Sequence, residues 1–279
     1  MINLPSVPDI IAKYCPDNIS VKDLRLIIAH IKSLLIEKII FKAEDVYLDP
    51  MEMQLLLNML DRYKKNEPLS KIFNNKSFWS HNFFVNSQVL DPRPETELII
   101  ETILSQFDVE SPLNFLDIGT GSGCILLSLL WEYKKSYGVG IDVSANAISV
   151  AQYNQKKLGI TNASFFAMDW SSFKSKQKFD IVVTNPPYVK TNDISQLKEN
   201  VRNYDPRIAL DGGPTGLDAY AIIAPLIARW LKPDGAIFLE IGYGQAEEVT
   251  QILLNNGLQV DEIRKDLNAI DRVIKAHLL

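Results

Sequence analysis

The sequence predicts an α/β fold: a seven-stranded, mostly parallel sheet with helices on both faces and an antiparallel last strand, preceded by a small helical domain. Three observations carry this. From residue 112 onward, short β-rich apolar runs alternate with amphipathic helical stretches, the pattern of a parallel sheet covered on both sides. Between the last two runs, Lys265 to Asp271 leaves room only for a turn, so the final strand returns antiparallel to its neighbour. The first seventy residues instead repeat apolar positions at helical spacing.

In order, Ser20 to Glu37 places Leu24, Ile27, Ile28, Ile31, Leu34 and Leu35 on one helical stripe, with Ser20 and Asp23 as the start signal. Asp49-Pro50 opens a second helix that presents Leu55, Leu56, Met59, Leu60 and Tyr63. The aromatic, Asn-rich stretch Ile72 to Leu90 alternates in part and reads as a hairpin. Strands are expected at Asn114–Ile118, Val139–Val143, Ser164–Met168, Asp180–Thr184, Ala236–Ile241, Gln259–Arg264 and Arg272–Ala276. Helices are expected near Cys124–Trp131, Asn146–Leu158, Leu217–Leu231 and Ala246–Asn255. The chain thus divides into a helical domain at 1–71, a β-hairpin linker at 72–91 and the α/β domain at 92–279.

Composition excludes several classes. With 279 residues, 47% of them hydrophobic, and a mean hydropathy of −0.01, the chain reads as an ordinary globule. No stretch is apolar for long enough to span a bilayer, and Met1 to Asp9 lacks the basic start and apolar core of a secretion signal, so a cytoplasmic location is expected. Cys15 and Cys124 read as buried free thiols. Residues 1–90 carry 11 Lys and Arg against 10 Asp and Glu, which leaves 18 against 24 for the remainder. That acidic half, and a pI near 5.3, argue against an extensive grip on nucleic acid. His30, His81 and His277 have no Cys or carboxylate partner at ligand spacing, and no metal is expected.

The narrowest chemical signal is Asn185-Pro186-Pro187-Tyr188, directly after the apolar run Phe179 to Thr184. The nitrogen of an amide or of a base amine is a poor nucleophile because its lone pair is delocalised. An Asn side-chain carbonyl and a prolyl backbone carbonyl can each accept one N–H, localising density on nitrogen and aiming it at an incoming methyl group. Pro186 and Pro187 fix the backbone and have no N–H to divert. Tyr188 would supply a flat wall. The same residues also describe a proline-terminated strand end with a tyrosine plug.

Asp117-Ile118-Gly119-Thr120-Gly121-Ser122-Gly123 ends one predicted strand and opens a helix, the place where open α/β sheets bind ligands and where a Rossmann-like fold holds its cofactor. A dinucleotide fingerprint would place Gly or Ala at residue 124, which is Cys. A nucleoside cofactor without phosphate, S-adenosylmethionine, fits better. Asp142 lies 19 residues past Gly123, the spacing of a ribose contact, and also reads as a helix cap. Asp169 can meet an adenine amine and Trp170 can pack on the ring; a strand-end turn with a core Trp reads equally well.

With these motifs in order, the chain resembles the bacterial release-factor glutamine methyltransferases, the HemK/PrmC type, over nearly its full length. The resemblance rests on Asp91-Pro92-Arg93-Pro94-Glu95-Thr96-Glu97-Leu98, the glycine loop, Asn185 to Tyr188, Ala209 to Leu217 and Leu239-Glu240-Ile241-Gly242. Glu95 and Glu97 behind Pro94 are also simple dipole-complementary residues of a first helical turn. The chain departs from the family at Leu69 to Asn74, where a Tyr-Ile-x-Gly turn is common, and at Ser80 and Ala269, where glycine is common. The resemblance implies a class-1 peptide chain release factor as partner, held by the helical domain, and methylation of the glutamine in its Gly-Gly-Gln motif. It implies Asn185, Pro186 and Tyr188 as catalytic, with Pro187, Arg93 and Glu95 also at the substrate. Asp117, Gly119 to Gly123, Asp142, Asp169, Trp170 and Asn185 would hold the cofactor. DNA or RNA amino-methylation, glutamine methylation of a ribosomal protein, and a non-catalytic scaffold remain as alternatives.

Overall fold

The computed structural model describes residues 4–15 and 19–279, so the first three residues of the stretch read for a leader lie outside the described residues. The chain forms two compact units, Met1–Asn74 and Asn75–Leu279.

The first unit holds α1 (Val7–Tyr14), α2 (Val21–Lys32), α3 (Ile36–Phe41), α4 (Pro50–Lys64) and α5 (Leu69–Ile72) around a core of Val7, Ile10, Leu24, Ile27, Ile28, Ile39, Leu48, Leu56 and Leu60. Ser20 caps α2 by accepting from the Asp23 amide at 3.0 Å, and Asp49 and Glu52 form a reciprocal capping box on α4. The single helix expected from Ser20 to Glu37 is two helices. Ser33 adopts φ 52 and its amide reaches back to Ala29 and His30, so α2 stops there and α3 starts anew after Leu35. Leu35 and Leu55, both expected on buried stripes, are 79% and 50% exposed.

In the second unit, β1 (Lys76–Phe78) and β2 (His81–Phe83) make a short hairpin, narrower than the stretch read from sequence. The helix α6 (Glu97–Leu104) then leads into β3 (Asn114–Ile118), α7 (Cys124–Glu132), β4 (Tyr137–Asp142), α8 (Ala145–Leu158), β5 (Ala163–Ala167) and β6 (Phe179–Thr184). A long loop containing α9 (Glu199–Arg202) precedes α10 (Asp218–Trp230), β7 (Leu231–Glu240), α11 (Ala246–Asn255), β8 (Leu258–Lys265) and β9 (Asp271–Leu278). The sheet order is β5-β4-β3-β6-β7-β9-β8, parallel from β5 to β7, with β9 antiparallel to both its neighbours.

Strands in the middle of a parallel sheet are buried on both faces, so their sequences are continuous apolar runs such as Ile181-Val182-Val183 and Ile237-Phe238-Leu239. One core layer packs α6, α7 and α8 residues on the sheet, and another packs α10 and α11 residues. The observed strand β7 starts five residues before the expected Ala236. Leu231 pairs with Phe179 and Ala236 with Ile181, so residues 232–235 form a bulge that reads from sequence as a turn. The β8–β9 turn holds Ala269 at φ 61, where the family's glycine would be unstrained; Asp266 braces it by accepting from the Asn268 and Ile270 amides.

Candidate active site

The carboxyl ends of β3, β4, β5 and β6 open on a cavity of about 340 Å³. The glycine loop forms its floor. Gly119 and Gly121 take φ 72 and 55, conformations that disfavour a side chain, and a Cβ on Gly119 would meet nothing within 4 Å. The loop therefore offers bare backbone to the cavity. It is anchored from below: the Gly119 and Thr120 amides donate to the Ile141 carbonyl, and Asn154 Nδ2 donates to the Ser122 carbonyl.

Asp142, at the end of β4, lines the cavity while its Oδ2 accepts from the Gly121 amide and its Oδ1 from the Ser144 amide, each at 2.9 Å. It braces the loop and holds the amide of Ser144, and it is Ser144, not Asp142, that caps α8 by accepting from the Ala147 amide at 3.2 Å. Burial raises its pKa. Asp169 and Trp170 also lie in the wall; Asp169 Oδ1 accepts from the Ser171 amide and hydroxyl. Asp117 is beneath the loop and outside the wall. Its Oδ2 accepts from Thr120 Oγ1 at 2.6 Å, its Oδ1 is buried without a hydrogen-bond partner, and burial pushes its pKa up to about 7. Gly123 begins α7 and is likewise outside the wall. Cys124 lines the cavity with a thiol that burial pushes up to about 12. Cys15 is only half-buried.

The buried Asp117 carboxylate carries a testable cost. It is protonated more readily folded than unfolded, so its destabilising effect grows as pH rises from about 4 to 7 and is complete above 7. Asp117→Asn should therefore raise the melting temperature of the ligand-free protein by several degrees at pH 8, with the gain shrinking toward pH 4. A melting temperature unchanged across that range would contradict this.

Asn185 follows the last residue of β6. Its Nδ2 donates to Glu240 Oε2 at 2.9 Å and to Thr96 Oγ1 at 3.1 Å. Both amide hydrogens are thereby used inward. Neither Asn185 Oδ1 nor the Pro186 carbonyl accepts a hydrogen bond from the described residues. Asn185 and Pro187 line the large cavity, whereas Pro186 is buried behind them. Tyr188 is outside the wall of that cavity and lines a second one with Gly242 to Gln245, and its hydroxyl donates to Glu240 Oε1 at 3.3 Å. Burial raises the Tyr188 pKa further, with Glu240 adding to it.

The backbone of the tetrapeptide is held by the glycine-rich run that follows it. A Cβ on Gly212 would stand 2.8 Å from the Pro187 carbonyl oxygen, and one on Gly216 would stand 2.5 Å from that of Tyr188. Gln245 Nε2 donates to the Tyr188 and Gly216 carbonyls, both at 3.1 Å, while its Oε1 accepts from the Gly242 amide. Arg93 is in the cavity wall, paired with Asp205 at 2.7 Å; Asp205 also accepts from the Asp91 amide. Glu95 lies outside the wall but close enough to Glu240 to raise its pKa.

Glu240, Thr96 and Gln245 organise the site, although sequence reasoning assigns none of them a role: Thr96 and Glu240 stand only inside motifs of the family resemblance, and Gln245 stands in none. The signal for Glu240 was a carboxylate ending the apolar run Ala236 to Leu239, a poor position for a charge unless something uses it. Thr96 Oγ1 donates to Glu240 Oε2 at 2.5 Å.

The cavity suits a cationic nucleoside better than a phosphate ester. Its wall carries Asp142, Asp169, Asp211 and Asp218, and its one cationic side chain among the described residues, Arg93, is already paired. Among the described residues, no cluster of His, Cys, Asp and Glu is placed to hold a metal ion, and no helix is long and apolar enough to cross a membrane.

Parallel sheet, bare glycine loop and spaced acidic residues together define a methyltransferase of the S-adenosylmethionine-dependent class. The family described as a methyltransferase domain matches residues 110–267. Solved structures agree on the fold. A methyltransferase from Pyrococcus furiosus superposes with a TM-score of 0.54 at 14% identity, over 79% of this chain and 98% of that one. A ribosomal protein L11 methylase from Lactobacillus delbrueckii gives 0.51 at 19%, over 68% and 83%. The chain is 42% identical to the release factor glutamine methyltransferase of Caulobacter vibrioides, over 80% of this chain and 78% of that protein. It is 38% identical to that of Rhodospirillum rubrum, over 91% and 78%. A bifunctional methyltransferase of Rickettsia typhi is 35% identical, with this chain spanning 53% of its length. The chain belongs to the release factor glutamine methyltransferase family.

Proposed function

We propose that this protein methylates the side-chain amide nitrogen, N5, of the glutamine in the Gly-Gly-Gln motif of class-1 peptide chain release factors, in the cytoplasm. The observation that carries it is the unused acceptor Asn185 Oδ1 in the cavity wall at the end of β6, with the equally unused Pro186 carbonyl directly behind it. Asn185 Oδ1 and the Pro186 carbonyl are the two groups needed to take the two hydrogens of a primary amide. Receiving them there localises density on nitrogen and holds the amide in one orientation. The Gln245 and glycine contacts keep the Pro187–Tyr188 backbone from moving away as the amide enters.

Bound S-adenosylmethionine supplies an electrophilic methyl group on a sulfonium. Asp142 would accept from its ribose hydroxyls, Asp169 and Trp170 would hold its adenine, and residues 119–122 would follow it with bare backbone. Arg93 lines the same cavity and, with Glu95 nearby, would border the incoming peptide. No strong base is required of the chain, because methylation makes the nitrogen's remaining protons more acidic. The acidic cavity wall weighs against a polyanionic substrate.

The test is mass spectrometry of a purified unmethylated release factor incubated with this protein and S-adenosylmethionine. One methyl added to the Gly-Gly-Gln glutamine is the expected result. An unmodified glutamine, with cofactor binding intact, would overturn the assignment.

A further inference from the structure

We propose that Glu240 is a positioning residue: with the Thr96 hydroxyl, its carboxylate captures both amide hydrogens of Asn185 and so keeps Oδ1 facing the substrate amide. The inference deepens the function proposed above and takes its substrate from it.

An Asn side chain has two ends of equal shape and opposite polarity, and half a turn about its last bond exchanges them. Here only one end can serve. With Nδ2 outward, a donor would face the substrate N–H that Oδ1 should receive, and only the Pro186 carbonyl would remain to accept. The surroundings of Asn185 decide between the two arrangements. Thr96 Oγ1 gives its only hydrogen to Glu240 Oε2, so it can present only lone pairs to Asn185. Glu240 Oε2 is itself an acceptor toward Asn185. Both neighbours therefore demand a donor, and the amide must turn Nδ2 to them. Glu240 Oε1 is engaged by the Tyr188 hydroxyl, so one carboxylate ties both ends of the tetrapeptide to the end of β7. At 1% exposure it is shut off from bulk solvent, so these hydrogen bonds carry its solvation.

This logic holds while Glu240 is ionised. A protonated carboxyl would be able to donate to Asn185 Oδ1, and the reversed amide would become acceptable. Burial pushes the Glu240 pKa up to about 7 against the hydrogen bonds from Thr96 and Tyr188 and the charge of Arg272 on β9, with Glu95 raising it further. Tyr220 of α10 meets the Glu240 backbone carbonyl. Turnover should therefore fall as pH drops through about 7.

The experiment compares wild type, Glu240→Gln, Glu240→Met and Thr96→Val on a release factor, reading kcat against pH and cofactor affinity by calorimetry. In parallel, nuclear magnetic resonance of asparagine-labelled protein follows the Asn185 side-chain amide. Wild type is expected to show an acid limb in kcat and an Asn185 amide signal that titrates with it. Glu240→Gln cannot ionise and should lose both. Glu240→Met should lower kcat about 10- to 100-fold with cofactor affinity within about twofold, and Thr96→Val should lower it less. If Glu240→Met fails to fold, the Gln variant and the resonance decide the matter. An acid limb and Asn185 titration that persist in Glu240→Gln would overturn the proposal. An Asn185 signal that titrates as expected in a protein that leaves the release factor unmodified would uphold the positioning and remove the substrate instead.

Discussion

Asn185→Ala should lower methyl transfer to the glutamine amide by roughly 10²–10³-fold, the cost of removing one well-placed hydrogen-bonding group at a reacting centre. Its other consequences should be small. Asn185 contributes one part of the cavity wall, so cofactor affinity should stay within about threefold. The removed Nδ2 leaves Glu240 still holding Thr96 and Tyr188, so the fold should persist. Single-turnover kinetics with calorimetry separate the two effects. A variant that turned over within a few-fold of wild type would show that Oδ1 is not the acceptor.

Asp142→Ala should act on the other half of the site and show itself in binding. Among the acidic groups of the cavity wall, this carboxylate is the one that also holds the Gly121 and Ser144 amides. Its loss removes a charge-assisted contact and frees the loop, an expected weakening of S-adenosylmethionine by about 10- to 100-fold. Asp142→Asn keeps one acceptor and should fall between. Calorimetric titration of each variant checks this, and an unchanged dissociation constant for Asp142→Ala would remove Asp142 from the cofactor site.

What the sequence made legible follows from locality. Asn185 to Tyr188 and the glycine loop are contiguous, and the strands around them are doubly buried, so both pattern and chemistry show in short windows. The caps at Ser20 and Asp49 were legible for the same reason. The break at Ser33 was not, since neither Gly nor Pro marks it and the apolar stripe runs on through Leu34 and Leu35. Likewise, residues 232–235 carry Pro and Gly and read as a turn, yet the neighbouring β6 pairs on either side of them. Thr96 and Glu240 stand 144 positions apart, and only the folded sheet brings hydroxyl and carboxylate together. Tyr188 reads from sequence as a flat wall for the substrate; what no short window shows is that its hydroxyl reaches the buried Glu240 carboxylate, 52 positions away.

The placement of β9 between β7 and β8 has a consequence for how the chain is made. Residues 271–278 are the last of the sheet to leave the ribosome, yet they fill an interior lane. Until they arrive, β7 presents an open, apolar margin and β8 has no neighbour to join. The second unit must therefore finish folding late, in one closing step, and a nascent chain stalled before Asp271 is a candidate for chaperone capture or for pairing with another unfinished copy.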